Sequence, residues 1–124
     1  MLKPRNFEHA GIVATDIDRS IAFYTALGIE ISRRRGEGRE AFAALKMGDA
    51  EINLFCDPER RYGAEPRQVD HLCLCMEAAS IDELMVDLRA AGIVVASGPV
   101  KRSDGAALFV CDPDGLRIEL LVKD

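Results

Sequence analysis

The strongest constraint on this chain is an internal repeat marked by its only two histidines. Phe7-Glu8-His9-Ala10-Gly11-Ile12-Val13-Ala14 and Val69-Asp70-His71-Leu72-Cys73-Leu74-Cys75-Met76 each place a histidine near the start of a short apolar run with strand character. His9 and His71 are 62 residues apart, the helix-ending glycines Gly28 and Gly92 are 64 apart, and Asn53 and Glu119 are 66 apart. Similar separations at the start, middle and end are what a duplicated unit with small insertions gives. A fold built from two copies of one motif is therefore expected.

Each copy reads β-α-β-β-β. In the first, a strand over Phe7–Thr15 leads to Thr15 or Asp16 as a helix cap. Ile17, Ile21, Tyr24 and Leu27 then recur at helical spacing before Gly28. Strands are expected over Ile29–Arg34, Glu40–Met47 and Ala50–Cys56, with Gly36-Glu37-Gly38 and Gly48-Asp49 as turns. The second copy has a strand over Val69–Glu77, then the capping box Ser80-Ile81-Asp82-Glu83 and a helix face of Ile81, Leu84, Leu88 and Ala91 ending at Gly92. Strands over Ile93–Ala96, Ala106–Cys111 and Leu116–Val122 follow, the last two joined by Asp112-Pro113-Asp114-Gly115.

The expected architecture is α+β: two tandem βαβββ modules forming a curved, mostly antiparallel sheet around a concave metal site. Module one covers about 7–56 and module two 69–124. Residues 57–68, with two prolines, a glycine and Arg60-Arg61, form a linker inside one domain of 124 residues. That length supports a core without disulfide or metal staples.

Strand parity picks out the chemistry, because successive side chains point to opposite faces. On Ala50–Cys56, Ile52 and Leu54 pack under the helix while Glu51, Asn53 and Phe55 face away; on Leu116–Val122, Ile118, Leu120 and Val122 pack while Arg117, Glu119 and Leu121 face away. If each half curls into a half-barrel, His9 and Asn53 come from one half and His71 and Glu119 from the other. A strand histidine taken alone is more commonly a hydrogen-bonded core or surface residue. Two at equivalent repeat positions, with a carboxylate, make a donor set for a divalent cation that leaves positions open for substrate.

Composition excludes other classes. A net charge of -5 argues against general nucleic-acid binding, which needs a basic face. No apolar run approaches the ~20 residues that span a bilayer, and no secretory leader is apparent, so a cytoplasmic protein without membrane association is expected. Arg33-Arg34-Arg35 is a local basic exception, read either as a solvated strand end or as a clamp for an anionic substrate. Cys56, Cys73, Cys75 and Cys111 show no C-x-x-C spacing; Cys73 and Cys75 are expected to be reduced thiols on an interior face.

His9, the segment Asp16-Ile17-Asp18-Arg19-Ser20-Ile21-Ala22-Phe23-Tyr24 with its Leu27-Gly28 ending, Val69-Asp70-His71, and Asp112-Pro113-Asp114-Gly115-Leu116-Arg117-Ile118-Glu119 together resemble the vicinal oxygen chelate superfamily. That group includes glyoxalase I, extradiol dioxygenases, methylmalonyl-CoA epimerase, fosfomycin resistance enzymes and metal-free bleomycin-binding proteins. The resemblance implies metal ligation by His9, His71 and Glu119, with one divalent ion such as Mn, Ni, Fe or Zn. It also implies a small-molecule substrate held through vicinal oxygens and a homodimer.

The fourth family position falls on Asn53, where glyoxalase I would place a glutamate that serves as ligand and base. Asn53 cannot take a proton, so it is expected to be a weak fourth ligand or to orient a substrate oxygen, and Glu51 stands as the candidate base. The expected activity is isomerase- or lyase-like. The alternatives are a dioxygenase, a fosfomycin-type thiol transferase, whose loop Arg102-Ser103-Asp104-Gly105 resembles, and a non-catalytic bleomycin-type binding protein.

Overall fold

The computed structural model describes residues 1–61 and 69–124, and the chain divides into two compact units, 1–61 and 62–124. Residues 62–68 of the expected linker lie outside the described residues. Each unit is α+β and repeats the βαβββ order on its own four-stranded mixed sheet.

Unit 1 runs β1 (His9–Ala14), α1 (Ile17–Ala26), β2 (Ile31–Arg35), a short 3-10 turn (Gly38–Glu40), β3 (Phe42–Met47) and β4 (Ala50–Cys56). Its sheet has the order β1-β4-β3-β2, with β1 parallel to β4 and the other pairs antiparallel. Asp16 caps α1 by accepting the Arg19 N–H at 3.2 Å. Ile17, Ile21, Tyr24 and Leu27 are buried, and α1 packs against β3 and β4, where Leu45 and Leu54 are fully buried. The opposite, helix-free face carries Glu51, Asn53 and Phe55 of β4.

Unit 2 runs β5 (His71–Cys75), α2 (Ile81–Ala90), β6 (Ser97–Arg102), β7 (Gly105–Cys111) and β8 (Arg117–Lys123), in the sheet order β5-β8-β7-β6 with only β5–β8 parallel. Ser80 Oγ accepts the Glu83 N–H at 3.1 Å. The core is Leu84, Leu88, Leu108, Val110, Ile118 and Leu120.

Two strands begin later than their sequences suggest, for one shared reason. Ile29 and Ile93 were expected to open strands, yet each closes the preceding helix. Gly28 and Gly92 take φ of 93° and 75°, which suits glycine because it has no Cβ. The next N–H then reaches back, Ile29 to Tyr24 O at 3.1 Å and Ile93 to Leu88 O at 2.9 Å, while Gly28 bonds Thr25 O and Gly92 bonds Arg89 O. These are paired Schellman closures, and the two isoleucines supply their apolar contact. The expected strand over Ile93–Ala96 is thus displaced to Ser97–Arg102, an exposed edge strand that accommodates Pro99 beside a register shift.

The four cysteines are free, and Cys73 and Cys75 share a face as expected. That face is exposed rather than interior, because Leu74 takes the inward positions of β5.

Candidate functional site

In unit 2, β5 lies parallel to β8 with His71 opposite Arg117 and Cys73 opposite Glu119. His71 Nε2 comes within 3.3 Å of Glu119 Oε1, and Glu119 is largely buried. His71 Nδ1 bonds Asp70 Oδ2 at 2.7 Å, and Asp70 in turn accepts from Arg117 Nη1 at 2.9 Å. Glu119 Oε2 accepts from Arg102 Nη2 at 2.9 Å. Phe109 stands edge-on to His71 at 5.5 Å, and the Arg117 guanidinium lies 4.4 Å over its ring. His71 thus lies between the carboxylates of Asp70 and Glu119, each of which is held by an arginine, Arg117 and Arg102.

This arrangement has a chemical consequence. With Nδ1–H donating to Asp70, a neutral imidazole presents a lone pair at Nε2. Glu119 Oε1 is also an acceptor, so two electron-pair donors face each other and a shared cation, either a proton or a metal ion, satisfies both. The hydrogen bond from His71, helped by the Arg117 charge, holds the Asp70 carboxyl below its ordinary value of 3.8. Partial burial, then the neighbouring Glu119 carboxylate, pushes the Cys73 thiol up, which keeps it protonated and poorly nucleophilic.

Unit 1 repeats the geometry with different residues. His9 pairs in register with Glu51 and Gly11 with Asn53, so Asn53 occupies the place that Glu119 holds in unit 2. His9 Nδ1 bonds the carboxylate of Glu8, again the preceding residue. Glu51 accepts from Ser32 Oγ at 3.1 Å and pairs with Arg33 Nη1 at 3.2 Å. Asn53 is flanked in register by the small residues Gly11 and Ala44. It is 6% exposed, and its Oδ1 is buried with no hydrogen-bond partner among the described residues.

Of the residues the sequence singled out, His71 and Glu119 are brought together in unit 2, while His9, Glu51 and Asn53 sit on neighbouring strands of unit 1. Among the described residues of either unit, no three His, Cys, Asp or Glu side chains converge as a metal-holding group. Sequence reasoning missed Asp70 and Glu8 as partners of the imidazoles, although an acidic residue directly before each histidine was a readable signal. It also missed Arg102 as the partner of Glu119, a contact across 17 positions for which no local pattern exists.

A model of the Glyoxalase/Bleomycin resistance protein/Dioxygenase superfamily matches residues 6–120. The chain is 33% identical to the glyoxalase domain-containing protein RDO1 of Mycosarcoma maydis, over 96% of this chain and 69% of that protein. It is 29% identical to lactoylglutathione lyase GLX1 of Arabidopsis thaliana, over 96% of this chain but only 44% of that enzyme, so it spans less than half of it. The crystal structure of a glyoxalase family protein from Enterococcus faecalis superimposes with a TM-score of 0.76 at 27% identity, covering 94% of this chain and 97% of that one.

Proposed function

From the premise that this chain belongs to the Glyoxalase/Bleomycin resistance protein/Dioxygenase superfamily, we propose that it is a divalent-metal-dependent enzyme of isomerase or lyase type acting on a small substrate with two neighbouring oxygens. The observation that carries the reading is the His71–Glu119 pair, in which Asp70 fixes the imidazole so that Nε2 and Oε1 face one another as donors. Nitrogen and carboxylate oxygen suit a divalent transition metal such as Mn, Ni, Fe or Zn. The donor chemistry suits such an ion, and the proposed ligand set is His9, His71 and Glu119; the ring of His9 is held by Glu8 as that of His71 is held by Asp70. When bound, the metal supplies Lewis-acid polarisation of substrate oxygen.

The chain's own groups do the rest. Arg102 keeps Glu119 Oε2 occupied and so presents Oε1 alone. Asn53 Oδ1, without a hydrogen-bond partner among the described residues, is an acceptor that orients a substrate hydroxyl or bound water, in line with its standing where Glu119 stands in unit 2. Asn53 cannot exchange a proton, so Glu51 is assigned that task. Both Ser32 and Arg33 hold its carboxylate, and it acts on release of that pair.

Metal analysis of protein purified without chelator, followed by titration with each of the four ions, is the test. Stoichiometry near one that falls in His71→Ala and Glu119→Gln supports the reading; stoichiometry near zero that no added ion raises rejects it. Loaded protein is then offered diketones, thioester acids, catechols and phosphonates. Binding without turnover across that set would reject catalysis and leave a small-molecule-binding protein.

A further inference from the structure

We propose that the helix-free face of unit 1 carries a subsite for a small organic anion with an apolar body, its negative group held by Arg35 and its body lying on Phe55. The three consecutive arginines of β2 have separate fates. Arg34 pairs with Asp18 of α1 at 2.6 Å, toward the helix side. Arg33 and Arg35 alternate to the other face and both lie over Phe42, with guanidinium carbons 5.5 and 4.5 Å from the ring centroid. Arg33 is neutralised by Glu51, whereas Arg35 has no carboxylate partner among the described residues.

The surroundings of Arg35 favour an organic anion over a solvated counterion. Phe42 meets Phe55 edge-on at 5.2 Å, and Phe55 is 45% exposed although it lies beside a buried aromatic ring. Stacking on Phe42 fixes the guanidinium plane and lowers the ordering cost of a bidentate carboxylate contact. A cation of set orientation over Phe42, with the exposed Phe55 ring on the far side of Phe42, matches a carboxylate attached to a flat apolar group. The Phe55 ring lies over Gly11, where a Cβ would meet it at 3.4 Å, so the glycine seats the ring and its exposed side is what the apolar body covers. The subsite goes beyond the metal reading and needs neither histidine.

The test uses the full chain, isotope-labelled for amide NMR, as purified and after chelator treatment. The probes are 2-naphthoate and its neutral isostere 2-naphthamide. The acid should bind about tenfold more tightly than the amide, as one charge-assisted bond replaces a neutral one. Shifts should centre on residues 33–35, 42–44 and 53–55. Arg35→Met, which keeps apolar cover over Phe42, should reduce acid binding to the level of the amide, and Arg35→Lys, which keeps the charge without the planar fork, should fall between the two.

Equal binding of acid and amide, unchanged acid binding in Arg35→Met, or shifts confined to unit 2, where Met85, Arg89, Ile93 and Val95 line a separate cleft, would each overturn the proposal. So would acid binding that vanishes with the chelator, which would place the carboxylate on the metal and leave the metal reading intact.

Discussion

A carboxylate on the residue before each histidine decides which ring nitrogen stays free. In unit 2 this is Asp70, and Asp70→Asn keeps the shape but weakens the acceptor for His71 Nδ1–H. Metal affinity, measured by competition with a chromophoric chelator, should fall about 10–100-fold. The pH response has a defined sign. The folded carboxyl titrates below its ordinary 3.8, so its contribution is complete above that value and is lost as pH falls through the lower folded value. The stability difference between wild type and Asp70→Asn should therefore persist at mildly acid pH and vanish only below the ordinary carboxylate range, in urea melts run across acid pH. Cys73 follows the opposite direction. Its alkylation by iodoacetamide, read by mass spectrometry, should have a midpoint above the ordinary thiol value of 9.0 and move down in Glu119→Gln.

Among the elements, the helices and the sheet cores contribute on different scales. Ser80→Ala removes one cap acceptor from α2 and should cost about 1 kcal/mol. Leu120→Ala opens a cavity at a fully buried position of β8, the strand that carries Glu119, and should cost about 2–5 kcal/mol. Denaturant midpoints of the two variants check the order; a cap loss equal to the core loss would contradict it. The parallel β1–β4 and β5–β8 pairs explain why the histidines and the polar residues of the last strands come close, since register carries each histidine two positions short of Asn53 or Glu119. The edge strands β2 and β6 hold the arginines, and edges tolerate charge because one side of the strand faces solvent.

For the whole molecule, we propose a homodimer, as is common in the superfamily. Light scattering coupled to sizing at micromolar concentration should give twice the chain mass of 13.6 kDa, and a monomeric mass would refute it. No helix among the described residues is long and apolar enough to cross a membrane. What the sequence determined by itself was the repeat, the βαβββ order, the caps at Asp16 and Ser80, the closing glycines and the faces of β4 and β8. Apart from the repeat, read from matching positions 62 to 66 residues apart, these rest on neighbours within a few positions, where the periods of 2 and 3.6 and single capping bonds act. The late starts of β2 and β6 were missed because an isoleucine after a glycine suits a strand and a Schellman closure equally. Tertiary structure alone decided that Arg102 holds Glu119, that Arg117 reaches Asp70 across 47 positions, and that Arg35, one of three arginines on β2, has no carboxylate partner among the described residues. Those outcomes follow from strand order and register, which bring distant residues together through main-chain pairing and leave no trace in the local pattern.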